Sequence, residues 1–385
     1  MNSNKVLILG GGSGGLATAA RLKELLGDKI SITVIDKQRS FVMGFSLLRV
    51  MTGEKTEQEV TVSKEKVSQK GIKFINTEVN GIDVKNSIVT TGQGEFAYDY
   101  LVIALGAELA PEKVPGFESA FHMYTLEDAK KLRDALSSFR GGSIRLVVCS
   151  TPFKCPPAPY EAAMLIDDYL RSKGLRDKSD IQIFTLEPQP MPIAGPEVGN
   201  TVVSMLNEKR IGFHNNAKVS SIDGSSKQIV FENGTREKYD LLIAIPPHTS
   251  PKVVRESDLA DAASGWIPVD PKNMQTRHDR VYAIGDVAAV KLPSSGMMLP
   301  KAATFAFGQA EIVASNIASL VLGTETRSWD GFGECFIETG SGNAGYGSGS
   351  FYASPKPVIN LQIPSKELRE RKDAWGNYWT KRLVA

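Results

Sequence analysis

The sequence predicts an α/β protein: two Rossmann-like dinucleotide-binding domains followed by a small C-terminal region. Three observations carry this reading. A glycine-rich turn joins an apolar strand to a helix near the N-terminus. The succession of strand, helix, strand, meander and closing strand then occurs a second time. A strand ending in Gly285-Asp286 finally leads toward a long apolar helix. The chain has 385 residues, which at about 150 per domain gives two to three domains.

Each element follows from local pattern. Lys5–Leu9 is a short apolar run, and Leu16–Leu26 carries apolar residues at helical spacing. Ile30–Ile35 is continuous Val and Ile, as in a parallel strand covered on both faces. Ile72–Ile75, Glu78–Asp83, Ser87–Thr91 and Phe96–Leu105 read as a meander that closes on a strand at Tyr100–Ala104. The second unit runs through strand Ile144–Cys149, helix Pro159–Ser172, strand Ile181–Leu186 and helix Val198–Lys209. Residues 217–245 repeat the meander, with a hairpin turn at Asn233-Gly234. Strand Val281–Ile284 and a helix near Ala302–Leu322 follow, then a tail with glycine-rich loops over 331–349. The first domain is therefore expected at 1–108 and 265–322, the second at 109–264, and the C-terminal region at 323–385.

Gly10-x-Gly12-x-x-Gly15 lies between a strand and a helix. Gly10 permits the turn, Gly12 lets the backbone approach a pyrophosphate, and Gly15 lets helix and strand pack closely. The helix N-terminus adds free N–H groups and a favourable dipole. Asp36 ends the next strand, where a ribose hydroxyl is read. Two later motifs resemble those of two-dinucleotide flavoproteins of the disulfide-reductase type. These are Tyr282-Ala283-Ile284-Gly285-Asp286 and Ala104-Leu105-Gly106. Together they make FAD the expected cofactor of the first site.

The second unit has no such fingerprint. Ser150-Thr151-Pro152-Phe153-Lys154-Cys155-Pro156-Pro157 contains no glycine, and its prolines remove N–H donors that would hold phosphate. No nicotinamide cofactor is expected there. Cys155 precedes a helix and follows Lys154, a setting that favours a thiolate. Cys149 sits in an apolar strand and reads as structural.

This Cys-Pro-Pro segment resembles that of the sulfide:quinone oxidoreductases and of the flavoprotein subunit of flavocytochrome c sulfide dehydrogenase. The resemblance makes Cys335 the redox partner of Cys155 and sets Leu299-Pro300-Lys301 beside the flavin ring. It implies oxidation of sulfide to persulfide or polysulfide sulfur through this pair. Lys301 would stabilise charge on the reduced ring and Glu161 would move a proton. Electrons would pass through FAD to a quinone or, in the flavocytochrome arrangement, to a cytochrome c partner. A type II NADH:quinone dehydrogenase is the other enzyme reading, opposed by the missing second fingerprint. The resemblance also has a gap: many of these enzymes carry another functional cysteine leading into the second domain, and Phe121-His122-Met123-Tyr124 has none.

Composition bounds the partners. Lys+Arg is 45 against Asp+Glu 43, so no basic field argues for nucleic acid. Four scattered histidines argue against a histidine-rich metal centre, and three cysteines exclude a disulfide scaffold. No signal peptide is visible, and no window reads as a transmembrane helix. Tyr346 and Phe351, among glycines, are candidate quinone contacts. In the basic tail Trp375, Tyr378, Trp379 and Leu383 share one helical face. That pattern suits a helix lying on a membrane surface, with docking on its own domain or on a second copy as the alternative. A peripheral membrane enzyme is the expectation.

Overall fold

The computed structural model describes residues 4–384; residues 1–3 and 385, at the outer limits of the expected domains, lie outside the described residues. Five parallel strands form the first sheet. Their spatial order is Val281–Ala283, Tyr100–Ile103, Asn4–Leu9, Ile30–Asp36, Lys73–Asn76. The order of strands reverses beside Asn4–Leu9, with later strands added on either side of it, which opens a crevice at the carboxyl ends of the strands, where open α/β sheets bind ligands. The second sheet repeats this plan with Ile211–His214, Ser179–Thr185, Gly142–Val148 and Leu241–Ile245, also all parallel. Each sheet carries a three-stranded antiparallel meander, Val79–Ala97 in the first unit and Val219–Lys238 in the second. Gly234 takes the left-handed conformation (φ 84°) that its hairpin turn requires. The run expected as one strand at Phe96–Leu105 divides in two. Gly94–Ala97 belongs to the meander and Tyr100–Ile103 to the parallel sheet. Between them Asp99 turns out to accept the Lys5 N–H at 2.7 Å.

Helix Ala303–Leu322 is long and apolar enough to cross a membrane by length and composition, contrary to the sequence expectation. It instead packs on helix Ser13–Leu26 and helps fill the largest core, with Val313, Ala314 and Ile317 fully buried.

The expected glycine-rich loops over 331–349 are strands. Phe332–Gly340, Asn343–Ser350 and Val358–Ser365 form an antiparallel sheet. Glycine here serves close approach rather than looping: a Cβ on Gly349 would collide with the Val358 carbonyl oxygen. Helix Lys366–Val384 follows and covers one face of this sheet. Its aromatic side does not face outward as a membrane-surface helix would. Trp379 stacks on Phe307 at 3.9 Å, Trp375 packs against Phe336 and Phe307, and Leu383 is fully buried. Only Tyr378 of that face is exposed. Leu383 is buried and Trp375 and Trp379 are partly buried on the protein's own core, which takes up the apolar area a membrane surface would otherwise cover. Exposed apolar side chains cluster elsewhere, at Phe332 and on the edge strand at Val358, Leu361 and Ile363, the last 88% exposed.

Candidate active site

The carboxyl ends of the first sheet open into a cavity of about 1030 Å³. Gly10, Gly11, Gly12 and Gly14 line one end, beside Asp36. Helix Ser13–Leu26 starts here with no side-chain cap and no acid in its first turn, so its amide donors face the cavity free. Gly10 has φ +99°, and a Cβ there would collide with the Ala104 carbonyl. A Cβ on Gly15 would collide with the Gly10 carbonyl. Asp36 is held by the Gly11 N–H at 2.5 Å and by Lys64 at 2.9 Å. Gly106, Gly285 and Asp286 line the other end. Asp286 lies in a short 3-10 turn and caps no long helix; burial raises its carboxyl above the usual range. An uncapped helix end, a glycine cradle and acids at both ends fit an elongated dinucleotide, and the volume fits FAD.

The sequence-expected catalytic residues converge on this same cavity. Cys155, Glu161, Lys301 and Cys335 all line it. Cys155 adopts φ 59° and donates its N–H to the Lys301 carbonyl at 2.7 Å, which pins the Cys-Pro-Pro turn to the segment before the long helix. Lys301 is buried, not a surface lysine; its ammonium reaches the Asp286 carbonyl and lies 3.6 Å over the Trp266 ring. Burial lowers its pKa to about 8. Both cysteines are free thiols. The expected bias of Cys155 toward thiolate is overturned. Burial pushes it well above the ordinary range, and the Glu161 carboxylate and Cys335 add to the rise. Cys335 is pushed up to about 12 by burial and then by Glu161. Cys149 fits its structural reading: it is buried beside Val147 and Phe184, and its thiol is also raised to about 12 by burial.

One residue that the sequence reading missed opposes these shifts. Lys372, on the C-terminal helix, is 3% exposed and lines the cavity. Its ammonium lowers both thiols. It bonds Glu161 at 2.8 Å and Glu338 at 2.9 Å. Glu338 also takes Arg49 at 2.9 Å and Arg369 at 3.0 Å, and Glu161 accepts the Glu338 N–H at 2.8 Å. Four segments far apart in sequence thus share one buried ion network. The only signal in sequence was a lysine among charged residues of a polar helix, and nothing there marks it as buried.

A second cavity, of about 530 Å³, opens at the carboxyl ends of the second sheet. Its walls are Pro152, Pro156, Pro157, Met191, Met205, Met298 and their neighbours, with Cys335 and Lys301 at the junction with the first cavity. Side chains alternate along a strand. Cys335 pairs with Gly347 and faces this second cavity and the cofactor side. Phe336 pairs with Tyr346 and faces the C-terminal helix. Tyr346 hydrogen-bonds Glu334 at 2.6 Å and also borders the apolar cavity, as does Phe351, which packs on Phe305. The two candidate quinone residues therefore border the same cavity.

Comparison with known proteins agrees with this geometry. Residues 4–310 match the family described as pyridine nucleotide-disulphide oxidoreductase. A mitochondrial sulfide:quinone oxidoreductase of Dictyostelium discoideum is 28% identical over 358 residues, covering 88% of this chain and 76% of that protein. A type II NADH:quinone oxidoreductase of Staphylococcus haemolyticus is 26% identical and covers 85% of each. The solved structure of the sulfide:quinone oxidoreductase of Aquifex aeolicus superposes with a TM-score of 0.90 at 23% identity. It spans 99% of this chain and 92% of that one.

Proposed function

The chain belongs to the pyridine nucleotide-disulphide oxidoreductase family, and from that premise we propose that it oxidises sulfide through Cys155 and Cys335 and delivers the electrons to a quinone. The carrying observation is that both cysteines, Glu161 and Lys301 line the cavity that fits FAD. The chain is a flavoenzyme, and FAD, when bound, supplies a two-electron acceptor beside the pair.

With the pair oxidised, hydrosulfide attacks one sulfur of the disulfide. A new S–S bond forms on that cysteine as a persulfide, the old S–S bond breaks, and the other cysteine leaves as a thiolate. Exchange is fastest when the leaving thiolate is stabilised. Cys335 is the leaving group in this reading, and Lys372 is the cation that favours its charge. Glu161 disfavours that charge while ionised. Taking up the substrate proton neutralises Glu161, removes its repulsion and leaves Lys372 to act alone. The outer persulfide sulfur on Cys155 and the Cys335 thiolate then join as a three-sulfur bridge that keeps the added sulfur, with loss of one proton and two electrons. The two electrons pass to FAD, when bound, and Lys301 offsets the negative charge gained.

The quinone enters the apolar cavity, whose wall includes Phe351 and whose rim carries the exposed Met297 and Leu361. Tyr346 borders the same cavity, with its hydroxyl held by Glu334. The apolar edge strand beside the rim supports contact with a membrane. Pro152, Pro156 and Pro157 occupy the place of a second phosphate cradle, which weighs against NADH as donor.

The test is anaerobic. Sulfide should bleach the flavin absorbance, a soluble quinone should restore it, and NADH should do nothing. Cys155→Ser or Cys335→Ser should slow bleaching by about 10³-fold or more with flavin content unchanged. Bleaching by NADH alone would replace this reading with the dehydrogenase.

A further inference from the structure

Resting on that reading, we propose that Tyr124 and Lys154 form the subsite that receives the hydrosulfide anion beside Cys155. The segment Phe121–Tyr124 has no cysteine, and what stands there is a phenol on the wall of the cofactor cavity. Tyr124 is 7% exposed, and its hydroxyl has no hydrogen-bond partner among the described residues. A buried hydroxyl left unpaired costs about 1–3 kcal/mol, so a partner is expected to arrive. Lys154, immediately before Cys155 in the chain, lines the same cavity and sets its ammonium 5.6 Å from the centre of the Tyr124 ring.

A second orphan stands next to the first. His248 packs edge-on to Tyr124 with ring centroids 5.0 Å apart and is also 7% exposed. Its Nδ1–H donates to the Pro246 carbonyl at 2.8 Å, so Nε2 carries the lone pair, and no partner meets it among the described residues. Burial lowers its pKa to about 3, which keeps the ring neutral and Nε2 an acceptor.

A phenol donor and an ammonium on one cavity wall suit a small anion. The Tyr124 O–H donates to the sulfur and Lys154 faces its charge, while the neutral His248 ring holds the Tyr124 ring edge-on from behind. Burial keeps the phenol protonated, with Cys155 the next contributor, so Tyr124 enters as a donor rather than as a competing anion. The subsite sits on the cofactor side of Cys155, away from the apolar cavity, and so separates sulfide from quinone.

The experiment measures flavin bleaching against sodium sulfide concentration by anaerobic stopped flow. Tyr124→Phe and Lys154→Gln are each compared with the unmodified holoenzyme, and Tyr378→Phe serves as an exposed control. Each site variant should raise the half-saturating sulfide concentration about tenfold, the scale of one hydrogen bond to a charged group. The limiting rate, flavin content and bleaching by dithionite should stay unchanged, and Lys154→Arg should recover most of the affinity. The subsite is rejected if Tyr124→Phe saturates like the unmodified enzyme, or if only its limiting rate falls. Loss of FAD from Tyr124→Phe would make the phenol a cofactor ligand and reject it equally. If the unmodified protein is not bleached by sulfide at all, the function proposed above falls and this subsite with it; normal bleaching with a normal Tyr124→Phe rejects the subsite alone.

Discussion

The two crevices of this molecule occupy the same place on the same scaffold, yet they hold opposite chemistry. Each lies at the carboxyl ends of a parallel sheet, beside a turn that follows the sheet's first strand. In the first, Gly10–Gly15 expose backbone donors and leave room for phosphate. In the second, prolines and Cys155 fill the turn, and the cavity is walled by methionine, proline and aromatic groups. The acids after the second strands differ in the same sense. Asp36 ends its strand in a polar setting of Lys64 and a backbone N–H. Glu187, two residues past its strand, is buried against the Tyr160 hydroxyl at 3.0 Å and borders the apolar cavity. On the proposed function, a scaffold that binds a dinucleotide becomes a site for redox sulfur and a lipophilic acceptor. Changing the turn and turning one acid inward is enough.

Four changes probe this contrast, taken from the largest expected effect downward. Gly15→Val should abolish flavin binding, because its side chain collides with the Gly10 carbonyl and neither strand nor helix can yield; absorbance of the purified protein reads the result, and a normal flavin content would break the comparison. Lys372→Met should lower stability by about 3–5 kcal/mol, since it leaves the buried Glu161 carboxylate without its cation while Glu338 keeps Arg49 and Arg369. Denaturant unfolding checks this. The same network fixes an acid limit. Lys372, Arg49 and Arg369 hold the Glu338 carboxyl below its ordinary 4.5 despite burial. Its contribution is therefore whole above about pH 5 and fades as pH falls.

Glu187 should behave in the opposite direction. Burial raises its carboxyl from 4.5 to about 7. Between those values the folded protein binds more protons than the unfolded chain, so stability falls as pH rises, by up to about 3 kcal/mol. Glu187→Gln should flatten thermal unfolding midpoints from pH 5 to 8 and leave the variant the more stable at pH 8. An unchanged slope would mean that the inward acid carries no such strain. Cys149→Ala is the smallest. It should cost about 1–2 kcal/mol and leave sulfide-driven bleaching untouched; a loss of bleaching would bring a third cysteine into the chemistry.

Legibility in the sequence followed interaction range. The repeated units, the first glycine turn and the absence of a second one were readable because strand runs, turn glycines and prolines act locally. Cys155, Glu161, Lys301 and Cys335 were found through a resemblance, and the fold brings them to one cavity. Three things were not readable. Glycine spacing over 331–349 looked like loops because the need for close strand approach depends on Val358 and its neighbours, which lie elsewhere in the chain. The tail helix shows the same aromatic face whether it meets a membrane or Phe307. Lys372 and Tyr124 became candidates only when burial and missing partners could be seen.

One strand carries a hidden constraint. Cys335 meets the cavity and Glu334 and Phe336 meet the C-terminal helix because successive residues of Phe332–Gly340 point to opposite faces. The pairing already shifts once, between Glu338 and Gly340. Deleting or inserting a single residue ahead of Cys335 would turn its sulfur toward Trp375 and present a carboxylate or a phenyl ring to the cofactor instead. The direction of the Cys335 sulfur is thus set by parity. Among descendants of this chain, length changes between Phe332 and Cys335 should come in twos or not at all, however freely the side chains themselves vary.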